Sequence, residues 1–329
     1  MKYSNRFLHR ILTSLRYRLS PFFKQENVDT MNYIDNHIEC NRDILYALES
    51  GKPFMVSRFG YVEIRAVVNA IWVSNNPHSF IKYITRRQEQ WWWNQSFVDE
   101  MQTNAGFFPL TEENLLKFSQ LVVDDAHYID ILGTDMESSL NYYQQYLKKE
   151  LIDSKKYALG NIKPLYHDQY SEYCWLQGLK GKRVLIVHPF VDSIRKQYTQ
   201  HRTKLFPNPD FLPEFTLLTI KAVQSLGGKC EFRTWFEALE WMKTEMDKIE
   251  YDVCILGCGA YGLSLAAHAK RTGHQAIHLG GGTQILFGIK GRRWDDSEYF
   301  KTLFNEYWTR PSDCETPQIA QKVEGGCYW

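Results

Sequence analysis

The chain has 329 residues, a net charge of +1, and 23% charged against 44% hydrophobic residues. That is the balance of an ordinary globular protein, long enough to bury a sizeable core, and its near-neutrality sets up no global field that would draw a nucleic acid. Seven cysteines without a single C-x-x-C pair exclude a disulfide framework or structural zinc and fit a reducing, cytoplasmic compartment.

Residues 1–30 read as a basic amphipathic arm. Lys2, Arg6, Arg10, Arg16, Arg18 and Lys24 come with no acid before Glu26, and Phe7, Leu8, Ile11, Leu12, Leu15 and Leu19 fall at helical spacing. No apolar run reaches the length of a signal-peptide core or a membrane span. The arm is expected either to lie on the anionic inner face of the cell membrane or to dock on its own domain.

The body spans 31–310, with halves at 31–155 and 156–310, and a tail follows at 311–329. Residues 32–49 have helical spacing and Gly51-Lys-Pro53 ends them. PFMVSRFG then predicts a short strand running into a turn, and YVEIRAVVNAIW a helix. Residues 85–120 are expected to be helical with a break at 104–109. Trp91-Trp92-Trp93 within that stretch cannot share one helix face. Residues 128–132 and VLIVHPF (184–190) predict strands, 193–206 a basic segment, 215–220 a strand and 232–246 a helix. Residues 252–256, 261–272 and 276–279 then predict strand, helix and strand. Strands alternating with helices imply an α/β, Rossmann-like fold, a mostly parallel sheet with helices on both faces. Aromatic residues make up 15% of the chain, which suits sugar or base stacking, although core packing is the commoner cause.

Chemistry concentrates where strands end. Gly257-Cys-Gly259-Ala-Tyr-Gly262 follows a strand and opens a helix, the context of a phosphate-approach turn. A nicotinamide site needs an acid about 20 residues on to hold the ribose diol, and no Asp or Glu lies between Tyr261 and Ile289, so NAD is not expected. Arg58, Gly60 and Glu63 sit on a second strand–turn–helix unit. His188 with Asp192, Arg195, Arg202 and Lys204 forms a third edge, suited to a diphosphate. Gly280-Gly281-Gly282-Thr-Gln284 and Lys290, Arg292, Arg293 form a fourth. Asp135-Met-Glu137 at a strand end is a D-x-E of the kind that holds Mn²⁺ or Mg²⁺ against a diphosphate, and Glu63 is a third candidate ligand. His274 and His278 flank a strand and read as structural. The absence of G-x-x-x-x-G-K-[ST], H-E-x-x-H and G-x-S-x-G sets aside P-loop kinases, zincin proteases and α/β-hydrolases.

SRFGYVEIRAV resembles the R-F-G-D-G-E signature of the GT-D-fold (DUF1792-like) bacterial glycosyltransferases. GCGAYGLSLAAHAKRTGHQAIHLGG resembles that family's glycine turn, helix and strand, and ILFGIKGRRWD a subgroup associated with capsule or lipopolysaccharide genes. The resemblance implies a hexosyltransferase-type enzyme that moves a sugar from a nucleotide-sugar donor, a UDP-sugar, to a glycan acceptor in surface polysaccharide biosynthesis. It also implies carboxylates near a divalent metal, yet Tyr61 stands where the family has its first acid, which leaves metal dependence open. Without a metal, arginines and a helix N-terminus can stabilise the leaving diphosphate. Glu63, then Asp192 and His188, are the candidate bases, with Arg58 beside them. An NAD(P)-dependent oxidoreductase and a non-catalytic glycan-assembly protein with a degenerate donor site are the alternatives.

Overall fold

In the computed structural model the described residues are 6–23, 31–75, 77–134, 142–166, 169–225, 230–317 and 324–329. Seven strands form one sheet: β1 (Phe54–Arg58), β2 (Ile131–Thr134), β3 (Lys155–Ala158), β4 (Arg183–His188), β5 (Thr216–Lys221), β6 (Val253–Leu256) and β7 (Gln275–His278). Their order is β3-β2-β1-β7-β6-β4-β5, and every neighbouring pair is parallel. The central strands bury both faces, as their β-branched and apolar sequences require. The edge strands carry Lys155, Lys156 and exposed Lys221, charges that discourage pairing with another chain.

Successive strand residues feed opposite cores. Met55, Leu132, Leu185, Val187, Cys254, Leu256 and Ala276 join one; Val56, Ile131, Val184, Ile186, Val253, Ile255 and Ile277 join the other. The helices segregate in the same way. The first core is covered by α3 (Tyr61–Ser74), α5 (Gln95–Thr103), α6 (Glu112–Ala126), α8 (Trp235–Asp247) and α9 (Gly262–Arg271). The second is covered by α2 (His37–Ser50), α7 (Val191–His201), α10 (Gly282–Leu286) and α12 (Glu298–Leu303). Right-handed crossovers produce this split: β1→β2 runs one way along the sheet and β4→β5 the other, so their helices fall on opposite faces. The expected Rossmann-like α/β fold is what the chain forms. The remaining helices are α1 (Arg6–Arg18), α4 (Phe80–Ile84) and α11 (Arg292–Asp295). Among the described residues none is long and apolar enough to cross a membrane.

Local chemistry fixes the helix ends. Side-chain oxygens of Asn36, Thr111 and Thr234 accept the amides of Glu39, Asn114 and Glu237, each at 3.1 Å. Gly51 ends α2 in the left-handed region at φ 65°.

Two expectations are corrected, and one strand is added that the sequence did not announce. Residues 85–94 are not helical: Arg86 takes φ 64°, and Trp91 to Trp93 lie in a loop where Trp91 stacks on His78 and Trp92 on His9. The basic segment after β4 is instead the helix α7, whose Ile194 and Tyr198 pack inward. Strand β3 was not expected, because KKYA is too short and too polar to show a period.

Tyr198 ties α7 to the entry of β5. Its buried hydroxyl accepts the Phe215 amide at 2.7 Å and lies 3.0 Å from the Phe215 carbonyl oxygen. Tyr198→Phe leaves that amide unsatisfied and is expected to cost about 1–3 kcal/mol. A urea titration should show a lower midpoint at unchanged slope; an unchanged midpoint would contradict the assignment.

Candidate functional site

β1, β7, β6 and β4 end side by side, and the chain leaves them toward alternating faces, into α3, α10, α9 and α7 respectively. Alternating exits open a crevice above the carboxyl ends of parallel strands, where α/β folds bind ligands. Here it is a cavity of about 320 Å³. Lining it are Arg58, Gly60 and Glu63 from the first exit, His188 from the fourth, Gly257 and Gly259 from the third, and Gly281, Gln284 and Arg293 from the second. The sequence singled out all of these.

Two histidines floor the crevice, His188 at the end of β4 and His278 at the end of β7, each almost fully buried. The Phe190 amide donates to His188 Nδ1 at 3.0 Å, which assigns the proton of the neutral ring to Nε2. His278 Nδ1 lies 3.1 Å from Ser57 Oγ. Burial pushes the pKa of His188 down to about 3; burial, with the Arg58 charge beside it, does the same to His278. Both rings are uncharged at neutral pH. Each is seated against a glycine of the G-x-G-x-x-G turn. A Cβ on Gly257 would stand 2.5 Å from the His188 ring, and one on Gly262 would collide with the His278 ring. Gly259 alone of the three is required by its backbone, at φ 57° with open space beside it.

Two guanidinium groups lie over the next glycine pair. Arg58 folds back on its own turn, donating from Nε and Nη2 to the Phe59 carbonyl at 3.1 and 3.0 Å, and its Nη1 is 3.0 Å from where a Gly280 Cβ would be. Arg293 spans the Tyr328 ring at 4.8 Å, and its Nη1 is 3.7 Å from the corresponding position on Gly281. Gln284 is fully buried. Its Nε2 lies within 3.3 Å of the carbonyl oxygens of Tyr328, Ile289 and Lys290, while Oε1 is buried without a partner among the described residues. Glu63, in the first turn of α3, packs its carboxylate over Gly60 and is the one acid that lines the crevice among the described residues. Tyr61 forms the lip, its ring 4.1 Å from the Arg65 guanidinium, which in turn pairs with Glu100.

Several expected ligand residues lie elsewhere. Asp192 and Arg195 face each other at 3.6 Å, more than half exposed. Arg202 donates to the Leu212 carbonyl, the Lys290 ammonium lies over the Phe304 ring, and Arg292 donates to the Gly325 carbonyl. None of the five lines the crevice, and neither does Gly262, whose role is to admit His278. Asp135 and Glu137 lie outside the described residues. Among the described residues no group of three His, Cys, Asp or Glu could hold a metal ion.

The error at α7 has a physical cause. The N-terminus of α7 already holds an anion from the chain itself. The Glu315 carboxylate accepts the amides of Asp192 (2.8 Å) and Ser193 (3.3 Å) and the hydroxyls of Ser193 and Ser312. Burial works to raise its pKa, but the hydrogen bonds from Ser193 and Ser312 outweigh burial and hold it below the ordinary value.

The sequence also missed parts of the site. His278 was read as structural, although its place one residue before Leu279-Gly280 puts it at the crevice floor. Asn104 to Gly106, Gln224, Ser225, Tyr328 and Trp329 line the cavity with no local signal that foretells it.

The sequence matches no family model and no curated relative. A selenomethionine-substituted domain of unknown function 1792 (DUF1792) is distantly similar in structure. The alignment covers 92% of this chain and 96% of that one, at 13% identity and a TM-score of 0.42.

The two neutral histidines make stability depend on pH. Their folded pKa values lie below the unfolded value, so the unfolded chain binds more protons, and stability falls as pH drops from about 6.5 toward 3. By pH 5 each histidine is expected to cost about 2 kcal/mol. Urea midpoints measured from pH 7 to pH 5 should fall, and His278→Gln should flatten the slope. A profile that His278→Gln leaves unchanged would exclude this assignment for His278.

Proposed function

We propose that the crevice binds the diphosphate of a nucleotide sugar and that the chain transfers the sugar to a glycan acceptor. The observation that carries this reading is the pair of guanidiniums, Arg58 and Arg293, set over adjacent glycines at the end of β7. Glycine there lets a phosphate reach the backbone, and two planar donors match its oxygens. The turn at Gly259 and the first turn of α9 add a helix N-terminus on the same crevice. The likeness of SRFGYVEIRAV and of the 257–281 segment to GT-D-fold sequences supports the same reading.

In such a transfer the bond between the anomeric carbon and the diphosphate breaks, and negative charge builds on the leaving oxygen. Arg58 and Arg293 stabilise that charge, and His188 offers its Nε2 hydrogen to a phosphate oxygen. Glu63 is placed to take the proton of an attacking acceptor hydroxyl. His188 does not serve as base, since burial keeps its ring from accepting a proton at neutral pH and its Nδ1 is engaged by Phe190. Asp192 does not line the cavity and faces Arg195. Among the described residues one carboxylate lines the crevice, and one does not make a cation clamp, which draws on several oxygen ligands, so no step here is routed through a metal. An NAD reading finds no acid at the end of β7, where Gly280 to Gly282 stand in its place.

UDP is expected to raise the melting temperature and NAD to leave it unchanged; a chain that UDP, GDP and CMP all fail to stabilise is not a nucleotide-sugar enzyme. Arg58→Ala should weaken UDP binding roughly ten- to a hundredfold, the loss of a charged hydrogen bond, in a calorimetric titration. Glu63→Gln should keep UDP binding and lose turnover of a UDP-sugar. Turnover equal to that of the parent chain would remove Glu63 from the chemistry.

A further inference from the structure

Helix α1 is held by its more polar side. Leu12 is buried, the His9 ring stacks on Trp92 at 4.2 Å, and Arg16 donates to the carbonyls of Tyr83 and Gln88 at 2.7 and 2.6 Å while pairing with Glu89 at 3.0 Å. Those contacts fix the helix against α4 and the loop that follows α4. The opposite side carries Phe7, Ile11 and Leu15, spaced i, i+4, i+8 along one stripe. They are 73%, 40% and 38% exposed. Helix α4, against which α1 packs, leaves Phe80 52% and Ile81 75% exposed. A helix on a globular domain normally turns its apolar stripe inward. Here directed polar contacts and Leu12 occupy the inner side, and the longer apolar stripe faces out.

Apart from Glu89, which is paired with Arg16, the charges around this surface are positive. Arg10 and Arg18 on α1, Lys82 on α4 and Arg87 just after it are all exposed, and α1 contains no acid. We propose that α1 and α4 form a docking surface for an anionic phospholipid bilayer. The apolar residues enter the boundary between headgroups and acyl chains, and the arginines and lysine meet lipid phosphates. A second copy of the chain is a poorer occupant, because pairing would bring two cationic rims together. The proposal does not depend on the nucleotide reading, since no residue of α1 or α4 lines the crevice.

Sedimentation of the full chain with vesicles tests it. Phosphatidylglycerol-containing vesicles should carry the protein down, and pure phosphatidylcholine vesicles should not. Ile11→Glu should weaken vesicle binding at least tenfold, and Arg10→Gln and Arg18→Gln roughly fivefold each. Melting temperature and any UDP-induced shift serve as fold controls and should be unchanged in all three variants. Wild-type protein that stays in the supernatant with phosphatidylglycerol vesicles overturns the proposal, as does Ile11→Glu that sediments like wild type. A dimer that Ile11→Glu disperses, with no vesicle binding, also overturns it and assigns the stripe to a second copy. Loss of the UDP effect in wild type would remove the functional reading and leave this surface standing.

Discussion

The packing of two uncharged imidazoles beneath the carboxyl edge of the sheet is the constraint from which the rest of the site follows. His188 and His278 end two strands that are separated only by β6, so their rings sit on either side of the turn that leaves β6. That turn has room for them only because Gly257 and Gly262 lack a Cβ. A charged ring could not be buried there without large desolvation, so the packing also fixes protonation. The spacing that looks like a dinucleotide fingerprint is thus held by two different demands. Gly257 and Gly262 make space for side chains below the turn, and Gly259 supplies the backbone conformation that turns the chain above it.

Positive potential in the crevice is correspondingly local. The fold offers two helix N-termini next to each other, at α7 and α9. Glu315 reaches across from the segment after α12 and takes the amides at α7, held ionised by five donors despite its burial. A phosphate arriving at α7 would have to displace a carboxylate already satisfied there. Among the described residues no carboxylate occupies the amides near Gly259, and the lining arginines Arg58 and Arg293 both stand over Gly280 and Gly281. Positive charge among the described lining residues is therefore concentrated in the β7–β6 half of the crevice rather than on the basic segment after β4.

Sequence made the fold and half of the site legible for the same reason. A buried parallel strand announces itself as a short β-branched run, so VLIVH and VCIL were found with their edges nearly right, and the loop after each was known to face the crevice. Arg58, Gly60, Glu63, Gly257, Gly259 and Gly281 follow from that rule, while Gln284 and Arg293 were singled out by the glycines and basic residues around them. Direction is what a linear pattern does not contain. Arg195 and Arg202 are close to His188 in sequence, but α7 turns them outward or onto carbonyls. Glu315, more than 120 positions from Ser193, takes their expected place through a contact no local signal encodes. Tyr328 and Trp329 reach the cavity in the same non-local way.

The side chain at position 61 governs how charge is distributed across the entrance. An acid there would sit beside Glu63 and face Arg65 as a competing partner. The phenol ring instead stacks on the Arg65 guanidinium, which leaves that cation to Glu100 and keeps it out of the crevice. Among the described residues Glu63 then stands as the one lining carboxylate beside Arg58 and Arg293, with the two histidines neutral. Among the described residues the crevice lining thus carries two guanidiniums and one carboxylate, the balance on which the proposed binding of a diphosphate rests. The charge balance of the crevice entrance is therefore set at its lip, by a ring that holds Arg65 rather than by a charge of its own.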